Sequence, residues 1–179
     1  MMRLFAGLEL PEPVKAAVLA AMGGVGGARW QTAAQLHLTL RFIGEVDRHM
    51  AADIAAALGR VNVRAFDAEL GDPGLFEHRG RIDTLWVGVR PADPVAALAR
   101  AINAALASVG VPPEPRAFVP HITAARGRGM IGAAGWPQSP IPRLGWTVNG
   151  FALFESRMGK DGSDYTVLAR YPYAASLSL

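Results

Sequence analysis

Two stretches of the chain, separated by nearly half its length, repeat one plan. Leu10-Pro11-Glu12-Pro13-Val14-Lys15-Ala16-Ala17-Val18 aligns with Arg90-Pro91-Ala92-Asp93-Pro94-Val95-Ala96-Ala97-Leu98, allowing one inserted residue. An apolar strand precedes each stretch and a helix follows it. After each helix comes a strand opening with His-x-Thr: His37-Leu38-Thr39-Leu40 in the first copy and His121-Ile122-Thr123-Ala124 in the second. A recurring unit folds the same way twice, so the repeat constrains the architecture more than any single element does. Strand–helix alternation followed by runs of strands predicts an α+β fold of two pseudo-symmetric lobes, with mainly antiparallel sheets flanked by helices. Twofold packing of the lobes would bring the two motif strands together across a central cleft.

The remaining elements fill out this plan. Leu4–Leu10 reads as a buried strand ended by proline, and Val14, Ala17, Val18, Ala21 and Met22 recur at helical spacing. Gly44 is expected to stop the first motif strand. A second helix is expected over Asp47–Val61, a strand over Arg64–Leu70 and a turn at Gly71-Asp72-Pro73-Gly74. Arg79-Gly80-Arg81 is a second turn, followed by a buried strand over Ile82–Val89. The helix opened by Pro94 carries the stripe Val95, Leu98, Ile102, Leu106 and Val109 and closes at Gly110. Gly127–Pro142, rich in glycine and proline, is a loop. Trp146–Glu155 and Tyr165–Tyr171 read as strands joined by a turn over Gly159–Gly162.

Composition limits the chemistry. With 179 residues, 51% of them hydrophobic and 18% charged, the chain can build an ample core and does not resemble a disordered one. Its net charge of +3 comes almost wholly from arginine, since Lys15 and Lys160 are the only lysines. Such a balance suits either a solvated surface or the recognition of phosphates by planar guanidinium groups. The absence of cysteine excludes disulfides, iron–sulfur clusters and thiolate zinc sites. No apolar run reaches the roughly 20 residues of a membrane span, and nothing near Met1 resembles a secretory signal, so a cytoplasmic location is expected.

The His-x-Thr strings carry the chemical signal. In an extended strand His37 and Thr39 share one face, as do His121 and Thr123, while Leu38 and Ile122 turn toward a core. Two such strands side by side set two imidazoles and two hydroxyls around one cavity. Imidazoles titrate near neutrality and can serve as general base and general acid in one turnover. Threonine hydroxyls can hold phosphate oxygens without adding charge. Strict alternation also puts Arg41 on the motif face and turns Arg126 away, unless a bulge restores it. Trp136, in the loop after the second motif, is a candidate for stacking on a nucleobase or for core packing. Trp30, Trp86 and Trp146 are read as core, and His49 and His78 as surface residues. The four histidines show no metal-ligand spacing, so neither metal nor cofactor is expected.

Over nearly its whole length the chain resembles the two-histidine phosphoesterases, and within them the RNA 2',3'-cyclic phosphodiesterases, also called 2'-5' RNA ligases. The likeness is carried by Arg3–Pro11, by Arg29-Trp30 with Leu36–Val46, and by Leu85–Val89. It continues through Phe118–Arg126, Leu153–Ser156 and Tyr165–Leu168. The resemblance implies one two-lobed domain over residues 1–179 that hydrolyses 2',3'-cyclic phosphate ends of RNA to 2'-phosphates, with a weak reverse 2'-5' joining. Its partners would be RNA ends or nucleotides bearing a 2',3'-cyclic phosphate, and a monomer would suffice. It implies His37, Thr39, His121 and Thr123 as the catalytic set, with Arg126, Arg41 and Trp136 as candidate substrate contacts. The likeness leaves open which histidine is acid and which base. A phosphodiesterase for a small cyclic or 2'-5' linked nucleotide, and a non-catalytic RNA-binding module, are the alternative readings.

Overall fold

The computed structural model describes residues 1–160 and 162–173. Its strands are β1 (Met2–Leu8), β2 (Arg29–Trp30), β3 (Leu38–Val46), β4 (Phe66–His78), β5 (Arg81–Arg90), β6 (His121–Arg126), β7 (Gly145–Val148), β8 (Gly150–Gly159) and β9 (Gly162–Pro172). Its helices are α1 (Glu12–Ala20), α2 (Arg48–Leu58) and α3 (Ala92–Ala107), with a 3-10 turn at Ala133–Gly135. None is long and apolar enough to cross a membrane among the described residues. The predicted repeat is visible in the helix starts: Pro11 and Pro91 cap α1 and α3 in nearly the same extended conformation. Helix α2 begins at Asp47, whose carboxylate accepts from the Met50 N–H at 2.8 Å.

All strand pairings are antiparallel, and they form one sheet in the order β7-β4-β5-β6-β3-β1-β8-β9, with β2 added beside β6. The order is palindromic in kind: β1, α1 and β3 of one lobe answer to β5, α3 and β6 of the other. The lobes join where β3 meets β6, through the pair Leu38 and Ile122. Strands β7 and β8 sit near opposite ends of this order, yet only Asn149 separates them. One residue spans about 3.5 Å, so the sheet must curl until its two ends are neighbours. Leu4, Ala6 and Leu8 of β1, Leu38 and Leu40 of β3, Leu85, Val87 and Val89 of β5, and Ile122, Ala124 and Ala125 of β6 face the helices. There they pack on Val14, Val18, Leu98 and Ile102 in the main core. Phe5, Ala152 and Phe154 pack separately on the other side of the sheet.

Three expectations about turns and strand limits are corrected. Strand β3 does not stop at Gly44. It runs on to Val46, with Gly44 at φ 96° taking up a register slip against β1. Gly71–Gly74 is not a turn but a bulge inside the long strand β4, where the register slips between Leu70 and Pro73. There the glycines permit close approach: a Cβ at Gly74 would lie 2.2 Å from the Trp86 ring. Pro73 is tolerated because β7 pairs only with Phe66–Glu69, leaving that edge of β4 open. Trp146–Glu155, read as one strand, is divided by Asn149 between β7 and β8. The Arg79–Gly80 turn forms as expected, both residues having positive φ. Of the turn at Gly159–Gly162, position 161 lies outside the described residues.

A pair of bulges decides which side chains reach which face. In β3 the register against β1 slips between Ala6 and Gly7, so Leu40 and Arg41 together occupy the helix face. Arg41 is therefore turned away from the histidines, contrary to alternation. It is buried, donates to the Pro112 carbonyl and pairs with Glu114 at 3.3 Å. In β6 the slip against β5 falls one residue after Thr123, so Ala124 and Ala125 share the helix face and Arg126 returns to the motif face. Arg41→Ala should destabilise the fold by about 2 kcal/mol in denaturant unfolding. The cost lies below the roughly 3–5 kcal/mol of a fully buried pair because Glu114 is partly exposed and keeps Arg116 as a second partner.

Candidate active site

The pairing of Leu38 with Ile122 sets the geometry of the site. In that antiparallel register position 37 stands opposite 123 and position 39 opposite 121, so each histidine faces the other lobe's threonine across the seam. All four side chains rise from the face opposite the helices. The two histidines are also built alike. His37 Nδ1–H donates to the Gln35 carbonyl at 2.7 Å, and His121 Nδ1–H donates to the Val119 carbonyl at 2.7 Å. A carbonyl can only accept, so each bond places the ring proton on Nδ1 and leaves Nε2 free to take or give one. The Nε2 atoms differ in surroundings. That of His37 lies 2.9 Å from Thr39 Oγ1, whereas the hydrogen bonds among the described residues give His121 Nε2 no partner.

Both imidazoles are held below the ordinary histidine value. Burial drives His37 down to about 4, against the support of the Gln35 carbonyl, and the positive charges of Arg126 and of a protonated His121 push the same way. His121 is lowered chiefly by burial and secondarily by Arg126. Two desolvated imidazoles thus stand within the field of an exposed guanidinium, and the ligand charge that suits all three is negative. Among the described residues no cluster of His, Cys, Asp or Glu is arranged to hold a metal ion.

Aromatic rings wall the histidines, and sequence patterning did not find them. Phe5 and Tyr165 lie against the His37 ring, each at a centroid distance of 4.8 Å, with Phe154 at 6.1 Å. Phe76 meets His121 edge-on at 4.9 Å and Trp86 tilts beside it at 5.9 Å. Trp86, read from sequence as core, is thus a wall of the site. The available signal was its place in β5: pairing with Thr123 puts Trp86 on the motif face while Leu85 and Val87 turn to the core. Trp136 goes the opposite way. It is 8% exposed, packs in the main core against Trp30 and donates its indole N–H to the Trp86 carbonyl at 3.4 Å. A ring held in that way cannot stack on a ligand. Of the seven predicted residues the structure brings together His37, Thr39, His121, Thr123 and Arg126, and it removes Arg41 and Trp136.

Comparison with known proteins places the chain in a family. A model of the 2'-5' RNA ligase superfamily matches residues 11–160. The chain is 35% identical over 189 residues to the RNA 2',3'-cyclic phosphodiesterase of Thermus thermophilus, covering 95% of this chain and 89% of that one. To the Escherichia coli protein of the same description it is 30% identical, covering 94% and 95%. Among solved structures, E. coli LigT complexed with 3'-AMP superimposes with a TM-score of 0.79 at 27% identity, covering 97% of this chain and 98% of that one. The MHV ns2 PDE domain shares the fold at a TM-score of 0.56 and 14% identity. With its matched model spanning most of the sequence, the chain belongs to the 2'-5' RNA ligase superfamily.

Proposed function

We propose that the protein hydrolyses the 2',3'-cyclic phosphate at RNA ends to a 2'-phosphate, with 2'-5' joining as the weak reverse. The observation that carries this reading is the pair of Nδ1-anchored histidines, one from each lobe, facing a shared cationic space. The curated relatives described as RNA 2',3'-cyclic phosphodiesterases support it. Both halves of the site come from one chain, so a single two-lobed domain acting as a monomer is sufficient.

In this mechanism His121 Nε2 removes a proton from water, whose oxygen forms the new bond to phosphorus. The P–O3' bond breaks in line, and His37 Nε2 delivers a proton to the departing O3'. The product is a 2'-phosphomonoester with a free 3'-hydroxyl, and each imidazole ends in the other's starting state. His121 is assigned as base because its Nε2 is the uncommitted one and its ring is the less buried. Thr39 and Thr123 donate to the non-bridging oxygens, and Arg126 offsets their charge. Binding of that anion favours the imidazolium form that burial opposes, so the acid is charged when substrate arrives.

His37→Ala and His121→Ala should each lower kcat by about 10² to 10⁴-fold, with circular dichroism unchanged. The assay is hydrolysis of an oligoribonucleotide with a 2',3'-cyclic end, with chelator present, reading 2'- against 3'-phosphate in the product. Near-normal turnover by either variant would overturn the mechanism. Turnover of small cyclic nucleotides alone would favour the small-nucleotide reading, and tight binding without turnover the non-catalytic one.

The pH profile follows from the depressed imidazoles. Activity of the free enzyme needs one ring protonated and one neutral, and both titrate below 6.5 with His37 at about 4. The value of kcat/KM should therefore peak on the acid side of 6.5 and fall as pH rises and both rings become neutral. Arg126→Gln removes a charge that disfavours imidazolium, so both ring titrations should move upward when followed by NMR. A peak in the alkaline range, or ring titrations unmoved by the substitution, would contradict this picture.

A further inference from the structure

The two motif strands share one backbone plan but end in different corners. Five residues after His37 stands Phe42, 47% exposed and facing Phe5 at 5.9 Å. Five residues after His121 stands Arg126, paired across the ladder with Thr84. One corner of the site is aromatic and the other cationic, and the cationic one opens into a groove. Arg29, Asp83, Thr84, Arg126 and Arg128 line this groove together with Gly27 and Gly127.

Several features mark this groove as built for an anion beyond the one between the histidines. Arg29 and Arg126 lie directly opposite each other in the β2–β6 ladder, where like charges destabilise a sheet. None of the ion pairs among the described residues involves Arg29, Arg126 or Arg128. Asp83, the carboxylate in the groove, accepts from the Thr84 hydroxyl at 2.8 Å, and three guanidiniums outweigh it. The backbone that carries these arginines is also held in place. Trp30 fixes the two-residue strand β2 by packing on Trp136 opposite Ala125. The Gly127 N–H donates to the Asp83 carbonyl at 3.0 Å and the Met130 N–H to the Ile82 carbonyl at 3.2 Å, pinning both sides of Arg128. Gly127 itself passes so close to Gly27 that a Cβ would lie 2.5 Å from its carbonyl oxygen.

We propose that this groove seats the phosphodiester 5' of the reacting nucleotide, through Arg29 and Arg128, so that the enzyme selects a strand end over a lone nucleotide. The inference rests on the cyclic-phosphodiesterase reading and adds a second phosphate subsite to it. Arg126 belongs to both sites, touching the groove and acting electrostatically on both histidines. Guanidinium forks suit the paired oxygens of a phosphodiester, and an anchored backbone leaves only side-chain freedom to be lost on binding.

The test compares a nucleoside 2',3'-cyclic monophosphate with an oligoribonucleotide carrying the same end, using wild type, Arg29→Gln, Arg128→Gln and the double variant. Wild type should show the lower KM for the oligonucleotide. The double variant should raise that KM about tenfold or more while leaving kcat/KM for the mononucleotide within about twofold. It should also flatten the log–log salt dependence of oligonucleotide binding by about 0.7, the contribution of one single-strand phosphate. A neutral methylphosphonate at the first upstream linkage should reproduce the loss in wild type. Equal KM for the two substrates, equal weakening of both by the variants, or indifference to the methylphosphonate would each overturn the inference and leave the phosphodiesterase reading intact. If neither substrate is hydrolysed, that reading fails. The salt slope, read by anisotropy of a labelled oligoribonucleotide ending in a 2'-phosphate, then decides the groove on its own.

Discussion

Everything chemical in this molecule depends on the pairing of Leu38 with Ile122. It is the point where the two lobes share a ladder, and its register alone sets His37 beside Thr123 and Thr39 beside His121. A slip of one residue would exchange faces and send a histidine into the helix core. The apolar partners prevent this, since Leu38 and Ile122 are both fully buried against the helices. The site is therefore held in alignment by hydrophobic packing on the far side of the sheet, with no polar cross-link needed between its reactive groups.

The electrostatics follow from the same placement. Two imidazoles set on a desolvated strand junction are driven toward neutrality, and Arg126 adds to the effect. The carbonyls of Gln35 and Val119 oppose it only in part, and their larger consequence is to settle the tautomer. An apo site with a net shortage of negative charge has its strongest interaction reserved for an anionic ligand. Charge that is unfavourable in the free protein is the source of discrimination in the bound one.

What could be read from residues alone was whatever depends on period and recurrence. The repeat gave the two lobes, and the His-x-Thr spacing gave the four side chains that meet at the candidate site. Misreadings arose where the period is broken. Alternation assigns Arg41 to the motif face and Arg126 away from it, yet one extra residue in each strand reverses both assignments. The glycines at 71 and 74 look like a turn because close approach of a tryptophan ring and a tight turn call for the same residue. The aromatic walls escaped notice because Phe5, Phe76, Phe154 and Tyr165 come from strands distant in sequence that the sheet sets near the histidines. Trp86 and Trp136 exchanged roles for the same reason, since burial of a large ring is decided by neighbours distant in sequence.

The bulges at Leu40 and Ala124 occupy matching places in the two lobes, and the seam between them is a local twofold axis. A lobe standing alone would end in an uncovered edge strand carrying one histidine and one threonine, open to pairing with a second copy of itself. Such a pair would close the same ladder but would possess two identical corners. Joining the halves in one polypeptide frees the corners to diverge, one to phenylalanine and one to arginine. With that the cleft acquires a direction, its two ends differing in charge and in what they can hold.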